Sequence, residues 1–368
     1  MSDLIIRPNA ALEGRPAIER QRNRWVAGWH LGDTTLREGF PTGSLPDPPR
    51  ALMRLPQETT AMRTDTAIVT MLVASFAACS PTTDEAAPAE TAEAAAAPIA
   101  AFGAGENVSP FAIGSLQAAS LRDAAFAPAN DNMTLAINVT KADVDALLTA
   151  AGLATDVLQL SVQPLIVRTP DRVLLFDTGN GPSGMLSASM ATAGVEPVEV
   201  TDIFISHSHG DHVGGLVDAD GALAFPNADI HISVNEWAAM QVNVQLASLV
   251  TAISPRVVAF EPGADRVPGT VKAVDIQGHT PGHSGFLITS GEASLLYIGD
   301  TMHHSVISVQ RPDWTIAFDG DAPLAQESRK AVLASAAGSG QRVYSVHFPF
   351  PGLGKFENRG GTFVWVAE

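Results

Sequence analysis

The chain has 368 residues, 46% hydrophobic and 17% charged, a globular composition with length for one large domain or two modest ones. Acidic residues outnumber basic ones 39 to 22, for a formal charge of −17. That balance argues against nucleic acid or an anionic membrane surface as the main partner, because both repel a negative protein. Cys79 is the single cysteine, which excludes an internal disulfide framework and a thiolate-rich zinc site. Any metal must therefore be held by histidine and carboxylate.

In chain order, residues 1–61 carry Pro, Arg and short polar runs without sustained periodicity and read as a leader without a fold. Residues 62–79 follow as "MRTDTAIVTMLVASFAACS" without its final serine, with a twelve-residue apolar run from Ala67 to Ala78. That run is too short to span a bilayer and has the length of a signal-peptide core. Its end, Phe76-Ala77-Ala78-Cys79, resembles the lipobox of bacterial lipoproteins. In those proteins the cysteine is lipidated and becomes the first mature residue. Phe76 stands where Leu is usual, and Asp65 offsets Arg63; a short buried helix is the alternative reading. Residues 80–104, rich in Ala, Pro and acid, have no packing face and read as a flexible tether. A signal peptide must sit at an N-terminus, so this reading places the start codon at Met62 or Met53. The expectation is an exported protein, periplasmic or lipid-anchored to the outer membrane; without the signal it would be cytoplasmic.

Residues 105–368 read as one folded domain. "DVDALLTAAGL" (Asp143 to Leu153) predicts a helix. "LQLSVQPLIVR" and "RVLLFDTG" predict two apolar strands joined by the turn Thr169-Pro170-Asp171. "VTDIFIS" predicts a strand that delivers "HSHGDH", and "ADIHISV" another. "NEWAAMQVNVQLASLV" predicts one helix, then "TVKAVDIQ" and "SLLYIGD" predict strands. Strands ending in His and Asp, interleaved with helices, indicate an α/β layered domain with its site at strand ends.

His207, His209, Asp211 and His212 fall within six residues. His207 and His209, one residue apart on a strand end, point the same way and can reach one ion. Asp211 and His212, beyond the turn at Gly210, are better placed for a second. Imidazole and carboxylate suit zinc, with other divalent transition metals possible. Gly214-Gly215 lets the backbone pack closely. "GHTPGHS" adds His279 and His283, "YIGDT" adds Asp300, and "VHFPFPG" adds His347.

Taken in that order, His207-x-His209-x-Asp211-His212, His279, Asp300 and His347 resemble the ligand set of the metallo-β-lactamase superfamily. The resemblance covers about Val108 to the C-terminus. It implies an αββα sandwich, two facing mixed β-sheets flanked by helices, with two zinc ions at one edge. His207, His209 and His279 would hold the first ion, and Asp211, His212 and His347 the second. Asp300 would bridge the two, with Asp211 and Asp300 acting in catalysis beside a hydroxide shared by the ions. Asp177 of "LLFDTG" matches a position that usually orients a metal-bound histidine; a plain strand-end carboxylate is the alternative. His283 reads as a residue supporting the ligands from behind. His303 and His304 are candidates for substrate contact. His231 reads as structural, and Trp237, Trp314, Phe348 and Phe350 as an apolar pocket or as core.

Several branches are disfavoured. β-Lactamases of this fold generally carry Cys or Ser where this chain has Asp300, and flavin-linked di-iron reductases usually carry Glu at the position of His209. RNA-processing members bring extra nucleic-acid-binding segments. Glyoxalase II-like thioesterases have a helical extension, whereas only 21 residues follow His347. "SVQPLIVRTPDRVLLFDTG", "FISHSHGDHVGGL", "GHTPGHS" and "VHFPFPGLG" look most like the methyl parathion hydrolase and N-acyl homoserine lactonase branch. The implied activity is hydrolysis of an ester, lactone or phosphotriester bond in a small molecule. The contrasting expectations are a non-catalytic metal-binding lipoprotein scaffold, or a glyoxalase II-like thioesterase or β-lactamase activity.

Overall fold

A computed structural model describes residues 99–368. The leader, the signal-like segment with Cys79 and most of the tether lie outside the described residues. Contacts of the folded body begin ahead of Gly105: Phe102 is buried in the core, and the Arg168 guanidinium sits 4.6 Å from its ring centroid.

Strands β1 (Val108–Ile113) and β2 (Leu116–Leu121) form a hairpin, and β3 (Ala124–Phe126) later pairs with β4 (Leu160–Val162). Between them lies α1 (Lys141–Ala150), which starts earlier than the hydrophobic pattern indicates. The cause is a capping box, with the Thr140 side chain taking Asp143 N and the Asp143 carboxylate taking Thr140 N. The predicted strand "LQLSVQPLIVR" is two strands, β4 and β5 (Leu165–Arg168), separated at Gln163-Pro164. Proline offers no N–H to continue a ladder, so the chain changes partners there.

Strand β6 (Val173–Phe176) is followed by α2 (Leu186–Ala193), β7 (Asp202–Phe204), the short α3 (Gly210–Val213) and β8 (Asp229–Ser233). The single helix expected next is two, α4 (Val234–Val242) and α5 (Ala247–Ile253). Asn243 breaks it, its side-chain oxygen accepting from Gln245 N to begin a new turn. The remaining elements are β9 (Val257–Phe260), β10 (Asp265–Val267), β11 (Val271–Asp275), β12 (Ser284–Ser290), β13 (Ala293–Tyr297), α6 (Ile307–Gln310), α7 (Ala322–Ser339), β14 (Arg342–Tyr344), β15 (Leu353–Arg359) and β16 (Thr362–Ala367).

Two mixed sheets result. One runs β1-β2-β5-β6-β7-β8-β9 and the other β10 through β16 in sequence order. Within them β6 to β9 are mutually parallel, as are β13 and β14. Side-chain alternation sorts each strand between two cores. Leu174, Phe176 and Phe204 of the first sheet meet Phe286, Leu295, Tyr297 and Tyr344 of the second in the central layer. Leu175, Ile203 and Ile230 face outward onto Met190 of α2 and Met240 of α4. Leu296 and Val343 face outward onto Val332 and Leu333 of α7. The expected αββα sandwich is thus observed. Its consequence for function is positional: β6, β7, β13 and β14 all end on one edge, and the chain leaves each of them into a residue of the histidine–carboxylate cluster.

Candidate metal centre

The first histidines do not sit on a strand. β7 ends at Phe204, and the chain passes through Ser206 and His207 before His209 caps the N-terminus of α3. The rings of His207, His209 and His279 nevertheless form a triangle with centroids 4.6, 4.7 and 4.8 Å apart. One donor atom from each of these residues and from Asp300 lie mutually within 4.8 Å, as do donors from Asp211, His212 and His347. Asp300 stands between the two groups. Its Oδ2 is 3.6 Å from His207 Nε2 and 3.3 Å from His279 Nε2. Its Oδ1 is 3.1 Å from His212 Nε2 and 3.0 Å from His347 Nε2. Each carboxylate oxygen therefore addresses one histidine group.

The backs of the imidazoles are committed elsewhere. Nδ1 of His212 donates to Asp177 Oδ2 at 2.7 Å, Nδ1 of His279 to Asp319 Oδ1 at 3.0 Å, and Nδ1 of His347 to the Ser161 carbonyl at 2.8 Å. These bonds fix the tautomers and leave Nε2 facing inward, the arrangement metal-binding histidines require. Asp177 adopts φ +58°, a left-handed conformation unusual for a residue with a side chain. Its carboxylate also receives Ser206 N, Ser206 Oγ and Tyr297 Oη, each at 2.7 Å. Gly215 is required nearby, since a methyl there would collide with the Thr178 carbonyl oxygen.

His283 is oriented differently. Its Nδ1 donates to the Ile276 carbonyl and its Nε2 accepts from Asp300 N at 2.9 Å, so it holds the backbone of Asp300. His303 lies at the centre, with Nε2 3.1 Å from Asp300 Oδ2 and its ring stacked on His347 at 5.1 Å. His304 is buried beside it, but its Nδ1 accepts from Val306 N and Ile307 N and so caps the turn into α6. His231 is remote, its Nε2 donating to Asp202 Oδ1 at 3.0 Å and its ring stacked on Phe204.

The four aromatics do not form one pocket. Trp237 packs in the outer layer of the first sheet, Trp314 against α1, and Phe348 in the outer layer of the second sheet. Phe350 lies under Arg122. Trp237 and Phe348 thus lie on opposite outer faces of the sandwich.

Charge follows from this crowding. Burial alone would raise the Asp300 carboxyl, but the surrounding imidazoles, His212 first, hold it well below the usual carboxylate range. Burial likewise opposes ionisation of Asp211, and His212 and His347 overcome it. His209 is pushed down to about 3 by burial and by His279 beside it. His279 is disfavoured as a cation by burial yet raised to about 9 by Asp300 and Asp319. His207 Nε2, His212 Nε2 and Asp300 Oδ1 are buried without hydrogen-bond partners. Unpaired inward donor atoms around an anionic carboxylate are the chemistry of a cation site, and the residues fit divalent metal.

Three supporting residues fall outside the metal-ligand motifs. Asp319 holds His279 and is itself bound by Arg329 Nη2 at 3.0 Å. Arg329, fully buried on α7, also donates to the carbonyls of Thr301, Pro312 and Trp314. Glu236, buried on α4, joins the loops of His207 and His279. Only Glu236 had a signal available, a carboxylate three residues after Ser233 at a helix start.

Comparison with known proteins places these features. The family model of the metallo-beta-lactamase superfamily matches residues 159–347, just over half of the chain. Among solved structures, AidC, a dizinc quorum-quenching lactonase, is 28% identical with a TM-score of 0.68, over 71% of this chain and 97% of that one. The hydrolase AbOPH is 25% identical with a TM-score of 0.65, over the same shares. An atrochrysone carboxyl ACP thioesterase of Passalora fulva is 27% identical over 138 residues, 37% of each chain. The match thus spans little more than a third of that relative.

Proposed function

The chain belongs to the metallo-β-lactamase superfamily, and from that premise we propose that it is a dinuclear zinc hydrolase of ester-type bonds in small molecules. The observation that carries this reading is Asp300, whose two oxygens each face a separate histidine group. His207, His209 and His279 would hold one ion and Asp211, His212 and His347 the other, with Asp300 common to both. Two bound ions would supply Lewis-acid polarisation of a substrate oxygen and a water acidic enough to react near neutral pH.

The chain's own residues set the stage for that chemistry. Asp177, Asp319 and the Ser161 carbonyl keep three imidazoles aimed inward. Asp211, with 29% of its side chain exposed, faces solvent from the centre and stays anionic at working pH. His303, whose Nε2 stands 3.1 Å from Asp300 Oδ2, is the residue proposed for substrate contact. The likeness to AidC makes a lactone the first substrate to try, with ester and phosphotriester cleavage asking the same of the site. The signal-like segment 62–79, with Cys79 and the tether 80–104, supports the further part of the reading: an exported enzyme, periplasmic or lipid-anchored to the bacterial outer membrane.

A substrate panel on purified residues 99–368 tests the activity, with lactones, aryl esters, phosphotriesters and thioesters run side by side. Zinc-dependent turnover of a lactone, ester or phosphotriester is the expected result. Protein that carries well under one equivalent of metal and turns over none of the four classes would favour a binding scaffold instead.

A further inference from the structure

We propose that Glu236 is a positioning residue: a single buried carboxylate that clamps together the two loops supplying the first metal group. Every bond its carboxylate makes serves those loops. Oε1 accepts from Ser208 N at 2.9 Å and Ser208 Oγ at 2.6 Å. Oε2 accepts from Thr280 Oγ1 at 2.7 Å and Gly282 N at 3.0 Å. Ser208 is the residue between His207 and His209, and Thr280 follows His279. Two bonds therefore hold each side, and all three first-group histidines are one residue from a clamped position.

The helix that carries Glu236 is built around this task. Ser233 caps α4 by accepting from Glu236 N, as the first half of a capping box does. The second half would return the glutamate carboxylate to the cap's own N–H, as Asp143 does for Thr140. Here that carboxylate leaves the helix for the metal loops. Ser233 Oγ instead donates to the Gly282 carbonyl at 2.7 Å, and a side chain on Gly282 would collide with Glu236 N. The start of α4 is thus seated directly on the His279 loop. None of these bonds reaches the Asp211, His212 and His347 group, which rests on Asp177, Tyr297 and Ser161. The clamp consequently controls one half of the centre and leaves the other to separate supports.

This inference rests on the two-metal reading, and metal affinity of the full chain separates the two. Zinc competition against a chelator should show two steps in the unaltered chain, with His279→Ala removing the first-group step and His347→Ala the second-group step. Glu236→Gln keeps the shape but turns two acceptors into one. It should weaken the first-group step about 10- to 100-fold, as loss of such supporting partners does, and leave the second in place. Thr280→Val, which removes one bond of the four, should give a smaller shift of the same step and covers the case in which Glu236→Gln does not fold. In metal-free protein, hydrogen exchange at Ser208 N and Gly282 N should speed up in Glu236→Gln. Equal weakening of both steps, or no shift in either variant, would overturn the clamp while leaving the two-metal reading intact. A wild-type chain that binds no zinc would overturn both.

Discussion

Asp300 illustrates how much of this protein rests on single buried carboxylates. It is 2% exposed and meets imidazoles on both oxygens, an arrangement that would be costly for an unpaired anion. Asp202 is a second case, outside the metal centre, and it makes a test of the charge reasoning. Burial opposes its ionisation, but bonds from His231, Thr201 and Arg172 win, so its carboxyl lies below the usual value. A carboxyl lowered on folding stabilises the chain fully above the unfolded value of about 3.9 and loses that contribution as pH falls through the folded value. Metal-free Asp202→Asn should therefore be less stable than wild type at pH 7, with the gap in urea midpoints closing below about pH 4. A gap constant across that range would show that the Asp202 charge is not the stabilising element. At this scale the sequence was informative where chemistry is contiguous. "HSHGDH" exposes four of the clustered residues at once, because the turn into α3 folds them onto one place. Asp319 and Arg329 were not legible, and Glu236 was legible only as a helix-start carboxylate, since each meets its partner across distant residues or through backbone carbonyls that no motif marks.

At the scale of elements, strand ends explain why the centre lies where it does. β6 delivers Asp177, β7 the first histidines, β13 Asp300 and β14 His347, all on the edge shared by the carboxyl ends of parallel strands. The strands themselves were legible from runs such as "RVLLF" and "SLLY", while breaks within predicted elements were not. At Pro164 the break is functional: Gln163 Nε2 turns to donate to the carbonyls of Ser345 and Phe348, fastening the chain on both sides of His347. Helix α7 braces the second sheet with a stripe of Ala325, Arg329, Val332, Leu333 and Ala336. Leu333 is fully buried in that layer, so Leu333→Ala should cost about 2–5 kcal/mol in metal-free unfolding. A loss under about 1 kcal/mol would mean that α7 is not a close-packed outer layer.

For the molecule as a whole, the two sheets hold the two halves of the centre together. Asp177 and the "HSHGDH" loop come from the first sheet, and His279, Asp300 and His347 from the second. The Asp177–Tyr297 bond crosses between them through the central core. Metal held by these ligands would join the sheets as well, so bound zinc should raise the unfolding free energy, by roughly 4 kcal/mol at free metal a thousandfold above Kd. The architecture was legible as a class from strands ending in metal-ligand residue types, and more specifically from the seven-residue ligand order. Its sheet order was not, because pairing across distant segments leaves no local pattern.

The central claim is that Asp300 joins two metal ions, and metal equivalents per chain after zinc loading and desalting test it most directly. Wild type should hold two equivalents and Asp300→Ala fewer than one. His231→Ala, remote from the centre, should retain both despite a stability cost of about 1–3 kcal/mol. Asp300→Ala protein that still holds two equivalents, or wild type that holds only one, would contradict the bridging role of Asp300.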